Sequence, residues 1–211
     1  MAFRPPPKIL QKVMGFRSIK YEDGGVLIWG VPMTFDMLSV EAIKQNIMVK
    51  KFGKKETESL IYCLGRLQAY NGVKVLCEKF GYAKTSAEKE NVLKFNTGQL
   101  DIIGRGHFEF LRMDFKNNVF HLKGTSPFAK MYKSIYGVQT IPVDFFMRGL
   151  ITGCLEYITG KELLTIENHC MASGKPYCLF TTKAIKDWNL KSKDVKGQLI
   201  DEIRELNVKK I

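Results

Sequence analysis

The chain has 211 residues, enough for one large domain or a domain with appendages, and its 45% hydrophobic content excludes wholesale disorder. Lysine and arginine outnumber the acids by 33 to 21, for a net charge of +12, yet the lysines are scattered, so a solvated basic surface fits better than a nucleic-acid stripe. No apolar run is long enough to span a membrane, and the opening MAFRPPPK lacks the apolar segment of a secretory signal, so the expectation is a cytoplasmic protein whose five cysteines stay reduced.

Pro5-Pro6-Pro7 predicts an extended leader, followed by one helical turn over Ile9 to Met14. Two strands are expected over Ser18 to Tyr21 and Val26 to Val31, because Asp23-Gly24 between apolar runs is a hairpin signal. Leu38, Ala42, Ile43 and Ile47 fall at helical spacing before Gly53, which stops that helix. A longer helix is predicted over Glu56 to Phe80, with Leu60, Ile61, Leu64, Leu67, Val73, Leu76 and Phe80 as its buried stripe. Gly65 and Gly72 share a face of that helix, which predicts a close neighbour there. Thr85 and Glu88 have capping-box spacing at the start of a third helix.

The period then changes. His107 to Phe115 alternates, placing Phe108, Phe110 and Arg112 on one side and His107, Glu109, Leu111, Met113 and Phe115 on the other. Lys116-Asn117-Asn118 makes the turn, and Val119 to Lys123 returns. A short helix follows over Phe128 to Tyr136, and Pro142 is expected to open the next one, which ends at Gly160. Lys161 to Glu167 and Pro176 to Thr182 read as a last hairpin around a turn at Met171 to Lys175, and the tail from Lys193 reads as an amphipathic helix. This order of hairpins and helices predicts an α+β fold in which an antiparallel sheet packs against helices.

The chemistry concentrates in the last hairpin. With Gly174 in the turn, Cys170 and Cys178 face each other, and Glu167 lies one pleat away. Two thiolates and a carboxylate converging on a turn suit a tetrahedral metal such as zinc; two unpaired cysteines or a labile cross-strand disulfide are the alternatives. Alternation points His169 away from Cys170, toward solvent.

Gly149, Gly153, Gly160-Lys161, Glu167, Cys170, Gly174, Pro176, Cys178 and Phe180 together resemble the signature of the vinyl-4-reductase (V4R) domain family. Leu27-Ile28-Trp29, the Gly65–Gly72 helix and Ser126-Pro127-Phe128-Ala129 extend the likeness, so that residues 17–183 form the domain, after an extension at 1–16 and before a linker or dimerisation helix at 184–211. The resemblance implies the fold shared with sensor domains of aromatic-responsive bacterial regulators, with nitric-oxide-signalling domains and with Golgi-transport (TRAPP) subunits. It implies zinc held by Glu167, Cys170 and Cys178, with Asp144 standing where those sensors supply a fourth ligand as cysteine. It also implies an apolar ligand cavity, for which Phe108, Phe110, Phe120, Gly149, Gly153 and Tyr157 are the candidate walls.

The family name suggests a reductase, but the chain shows no dinucleotide-binding fingerprint after a strand, and Gly104-Arg105-Gly106 lacks the third glycine. The expected function is therefore a non-catalytic sensor or carrier of a small apolar ligand with a structural zinc, forming a homodimer and signalling through a separate output protein. A dimeric TRAPP-like scaffold, or a non-catalytic accessory in tetrapyrrole metabolism, is the alternative.

Overall fold

The change of period at His107 marks the start of the main sheet. In a computed structural model of the chain, four strands pair antiparallel in the order β4-β5-β7-β6: β4 (His107–Asp114), β5 (Val119–Thr125), β6 (Leu163–His169) and β7 (Cys178–Ala184). The structure describes residues 36–198 apart from 81–84, with the backbone alone for residues 79, 80 and 102 and for short strands between 19 and 33. The predicted leader, the turn at Ile9 to Met14, and the tail beyond 198 lie outside the described residues. The first hairpin has gained a third strand: β1 (Ile19–Glu22), β2 (Gly25–Ile28) and β3 (Val31–Met33) form a separate antiparallel sheet.

Six helices complete the described fold: α1 (Leu38–Phe52), α2 (Lys54–Phe80), α3 (Ser86–Ile102), α4 (Pro127–Tyr136), α5 (Phe145–Thr159) and the short α6 (Lys193–Lys196). The expected starts and stops of α1 and α3 are present. Gly53 ends α1 with φ +84°, and Thr85 and Glu88 form the reciprocal capping box that opens α3. Pro142, however, does not open α5. That helix begins at Phe145, and the carboxylate of its N-cap residue Asp144 is turned to Ser126 Oγ instead of capping its own helix.

A bulge corrects the expected sidedness of β4. Phe110 pairs with Leu122, but Arg112 already pairs with His121 and Met113 with Phe120. The extra residue, Leu111, reverses the alternation, so Arg112 shares the face of His121 and Met113 that of Phe120. The inner face then carries Phe108, Phe120, Leu122 and Phe180, all at most 2% exposed, in one core with Met147, Ile151 and Leu155 of α5.

Against its far side α5 meets α2 backbone to backbone. A methyl group added at Gly149 would sit 2.0 Å from Tyr62 O, one at Gly153 2.0 Å from Arg66 O, and one at Gly65 2.3 Å from Phe146 O. The close neighbour expected for Gly65 is thus α5, whereas Gly72 faces open space. Three polar rungs, each four residues apart on both helices, cross the same contact. Arg148 Nη1 donates to Glu58, Tyr62 Oη donates to Thr152 Oγ1 at 2.8 Å, and Arg66 grips Glu156 with two bonds of 2.6 and 3.0 Å.

These rungs explain why the buried stripe of α2 departs from expectation. Glu58, Tyr62 and Arg66 are buried, while Leu60 and Leu64 are 49% and 52% exposed. Charged side chains can turn inward because each finds its partner on α5, and burying one without the other costs several kcal/mol. On α1, Ile43 and Ile47 are likewise exposed and Ala42 is the buried member of its apolar set.

Alanine at Gly153 and at Gly72 should therefore act in opposite directions. Gly153→Ala forces α2 and α5 apart and costs roughly 1–3 kcal/mol or more, whereas Gly72→Ala adds a helix-favouring residue in open space and gains about 1 kcal/mol. Urea unfolding of the two variants beside the wild type measures both.

Candidate metal centre

β6 delivers Glu167 and, after the strand ends, Cys170; a 3-10 turn over Met171–Ser173 and Gly174 at φ +83° reverse the chain, and Cys178 begins β7. Glycine suits that last turn position because its positive φ strains other residues. The turn is pinned from outside: Ser173 N and Lys175 N donate to Cys170 O at 3.0 and 3.3 Å, Gln139 N to Ala172 O at 2.9 Å, and Ser173 Oγ to Ile141 O at 3.2 Å.

Inside it, one ligating atom each from Glu167, Cys170 and Cys178 lies within 4.8 Å of the other two. All three residues are at most 2% exposed. All five cysteines are free thiols, so the disulfide alternative is not the arrangement found. Met171 N donates to Cys178 Sγ at 3.4 Å, and Asp144 N to Glu167 Oε2 at 3.3 Å. Glu167 Oε1 is buried without a hydrogen-bond partner.

The electrostatics of this group are those of several acids buried together. Burial pushes the Glu167 carboxyl well above its usual range, with Cys170 and then Asp144 adding to the shift. Asp144 is pushed up to about 7, again mainly by burial, against the opposing hydrogen bond from Ser126. Between the thiols, the hydrogen bond with Cys178 is the main cause that draws Cys170 down to about 6, while Cys178 itself is raised. Backbone groups of Val143 and Ala172 further favour the Cys170 thiolate. A carboxylate oxygen with no partner, a stabilised thiolate and a second thiol constitute a donor set that fits a borderline-soft divalent ion such as zinc.

Asp144 adjoins this group but is not one of its three members; its carboxylate is engaged by Ser126 Oγ, itself fully buried. His169 also lies outside it. The bulge between Glu167 and His169 lets the imidazole pack on the Tyr177 ring at 5.4 Å, half-buried with Nδ1 unpartnered, so it is not the solvent-facing residue that simple alternation implies.

Of the six candidate cavity residues, Phe108, Phe110, Phe120 and Tyr157 belong to the one packed core. Phe108 packs edge-on against Phe180 and Phe120 against Phe115, both in the core; Phe110 is partly buried beside them. Tyr157 stacks edge-on with Tyr70 of α2. Gly149 and Gly153 are spent on the α2 contact, where no ligand-sized space remains. Sequence reasoning missed Gln198, whose side chain accepts from Glu167 N and donates to Glu167 O. It also missed Arg148, which is fully buried and donates to Thr165 O. Ser126 carried a signal, as the residue ahead of Pro127 at a helix start, but not its link to Asp144.

The V4R domain profile matches residues 132–184, which takes in α5, the hairpin and the whole cluster. A segment of 48 residues is 35% identical to the uncharacterized protein MJ1460 of Methanocaldococcus jannaschii, covering 23% of this chain and 30% of that protein. The chain thus spans less than a third of that relative in the match. Among solved structures, the phenol-responsive sensory domain of the transcription activator PoxR with phenol superposes with a TM-score of 0.73 at 17% identity, over 94% of this chain and 100% of that one. A vinyl-4-reductase family protein from Methanocaldococcus jannaschii aligns at 0.46 and 21% identity over 88% and 99% of the two chains. A trafficking protein particle complex subunit 3 from Naegleria fowleri, covalently bound to palmitic acid, aligns at 0.47 and 10% over 69% and 93%. The α+β fold with its antiparallel sheet is thereby that of the PoxR sensory domain.

The raised Asp144 carboxyl has a defined consequence in metal-free protein. Stability from its neutral form is fully present below the ordinary value of 3.8 and is lost as pH rises through about 7. Cys170, drawn down to about 6 from 9.0, contributes in the opposite sense between those values. Asp144→Asn, which keeps an oxygen for Ser126, should remove the first slope together with the part Asp144 adds to the Glu167 shift. Urea midpoints in chelator at pH 5 and pH 8 test this: the variant should gain on the wild type at the higher pH.

Proposed function

We propose that this chain is a small-molecule-binding sensor or carrier module whose last hairpin is clamped by a structural zinc. The observation that carries the reading is the buried group of Glu167, Cys170 and Cys178, with one Glu167 carboxylate oxygen left without a hydrogen-bond partner. Thiolate and carboxylate ligands at a tight turn supply folding energy when a metal joins them, since the mutual repulsion of the acids becomes attraction to the ion. Asp144, held one hydrogen bond away by its own N–H, is the candidate fourth donor; loading would require its carboxylate to leave Ser126. A site closed by four protein donors has no open position for chemistry, which supports a structural role rather than a catalytic one.

The sensor half of the reading is supported by the superposition on a domain solved with phenol bound. The ligand class proposed here is a small apolar molecule. Such a ligand acts on a partner chain or is simply carried.

Metal analysis of protein purified without added zinc tests the clamp. About one zinc per chain is expected, lost together with stability in both Cys170→Ala and Cys178→Ala; a well-folded wild type free of metal would refute it. A thermal-shift panel of apolar small molecules tests the sensor: a binder present at about a hundred times its Kd should stabilise the fold by about 2.7 kcal/mol.

One observation favours a second reading, a dimeric scaffold. Leu60 and Leu64, one helical turn apart, lie half-exposed on α2, where a monomer gains nothing by keeping two leucines. Light scattering decides: a dimer that Leu64→Arg converts to a monomer would support it, and a wild-type monomer would remove it.

A further inference from the structure

Among the described residues β6 is an edge strand, and side chains rather than another strand meet its outward backbone groups. Leu163 N donates to Glu156 Oε1 at 3.0 Å, and Arg148 Nε to Thr165 O at 3.0 Å. At Glu167 the partner is Gln198: Oε1 accepts from Glu167 N at 2.9 Å, and Nε2 donates to Glu167 O at 3.1 Å. One primary amide thus makes the donor-and-acceptor pair that a residue of an added strand would make.

Gln198 belongs to a stretch over residues 188–198, here called the strap, that is itself held down along the sheet edge. Trp188 Nε1 donates to Leu164 O at 3.1 Å, and Val195 is buried against Leu164, Ile166, Tyr62 and Cys63. At its end Arg148 Nη2 donates to Gln198 O at 2.7 Å, and Lys54 Nζ to Gly197 O at 3.3 Å. Gln198 is 5% exposed, so its amide cannot be replaced there by water without opening the strap.

Glu167 is therefore gripped on two sides, its carboxylate within the cysteine group and both its peptide groups by Gln198. We infer that Gln198 is a positioning residue for the metal ligand Glu167: it fixes the stretch of backbone that aims this carboxylate at Cys170 and Cys178, and so ties closure of the 188–198 strap to metal binding. The inference rests on the zinc reading above. Because linkage is reciprocal, zinc must tighten the strap by the same factor by which a closed strap tightens zinc.

The test uses the full chain and zinc alone. Zinc affinity is measured by competition with a chromophoric chelator, and amide exchange of residues 193–198 is followed in zinc-loaded and chelator-stripped protein. Gln198→Ala should weaken zinc about tenfold, the loss typical when a group supporting a metal ligand is removed, and zinc should slow exchange across the strap in the wild type. Val195→Ala, which trims the strap's apolar anchor but keeps the Gln198 amide, should reduce unfolding stability and weaken zinc only by as much as it opens the strap, less than Gln198→Ala does. A wild type that holds zinc, but exchanges its strap equally fast with and without it and keeps its affinity in Gln198→Ala, overturns the inference and leaves the zinc clamp standing. A wild type that holds no zinc overturns both.

Discussion

Gly65, Gly149 and Gly153 let α2 and α5 approach until only backbone separates them, and much else in the structure follows from that distance. At this separation Glu58, Tyr62 and Arg66 can reach Arg148, Thr152 and Glu156, and the two helices acquire a register. α5 in turn is laid along the inner face of the sheet with its N-terminus at the end of β6, which is why the Asp144 backbone meets Glu167. The same helix sends Arg148 under the sheet edge to Thr165 and on to the end of the strap. A side chain at any of the three glycines would lengthen every one of these contacts at once.

Two buried charge arrangements sit within a few turns of each other and differ in kind. On the rungs the signs alternate, acid to base and base to acid, so each charge is matched where it is buried. At the hairpin the signs do not alternate. Glu167, Asp144 and two thiols share one dry corner, where burial first and then their neighbours' charges raise both carboxyls. The fold spends hydrogen bonds from Ser126, from the Asp144 backbone and from Met171 on this corner, yet one carboxylate oxygen remains without a partner. Among the described residues Gln99 Nε2 and His169 Nδ1 are the other buried side-chain atoms in that condition.

Where local chemistry was sufficient, the sequence was legible. The capping box at Thr85, the stop at Gly53, the turn at Gly174 and the meeting of Glu167, Cys170 and Cys178 all involve residues a few positions apart, and the structure brings each set together as the spacing implied. The α+β pattern was legible for the same reason, since periods of 3.6 and 2 are local properties. Departures begin where a partner lies far along the chain. Leu60 and Leu64 look like a core stripe until Glu58 and Arg66 are seen to have partners ninety residues away. Asp144 stands at the position of an implied fourth ligand, but its carboxylate is engaged by Ser126, eighteen residues away.

By itself, then, the sequence determined the order of the main helices and hairpins and the three acidic residues that meet at the last one, because these depend on neighbours in the chain and on residue types. Tertiary structure alone decided which side chains are inside. One bulged residue, Leu111, reverses the face of everything after it in β4, and no composition announces it. Gln198 is an ordinary polar residue in a lysine-rich tail until the strap folds back and sets its amide against Glu167. Burial of a polar group depends on whether a complementary group arrives from elsewhere, and that is settled only when the chain has closed on itself.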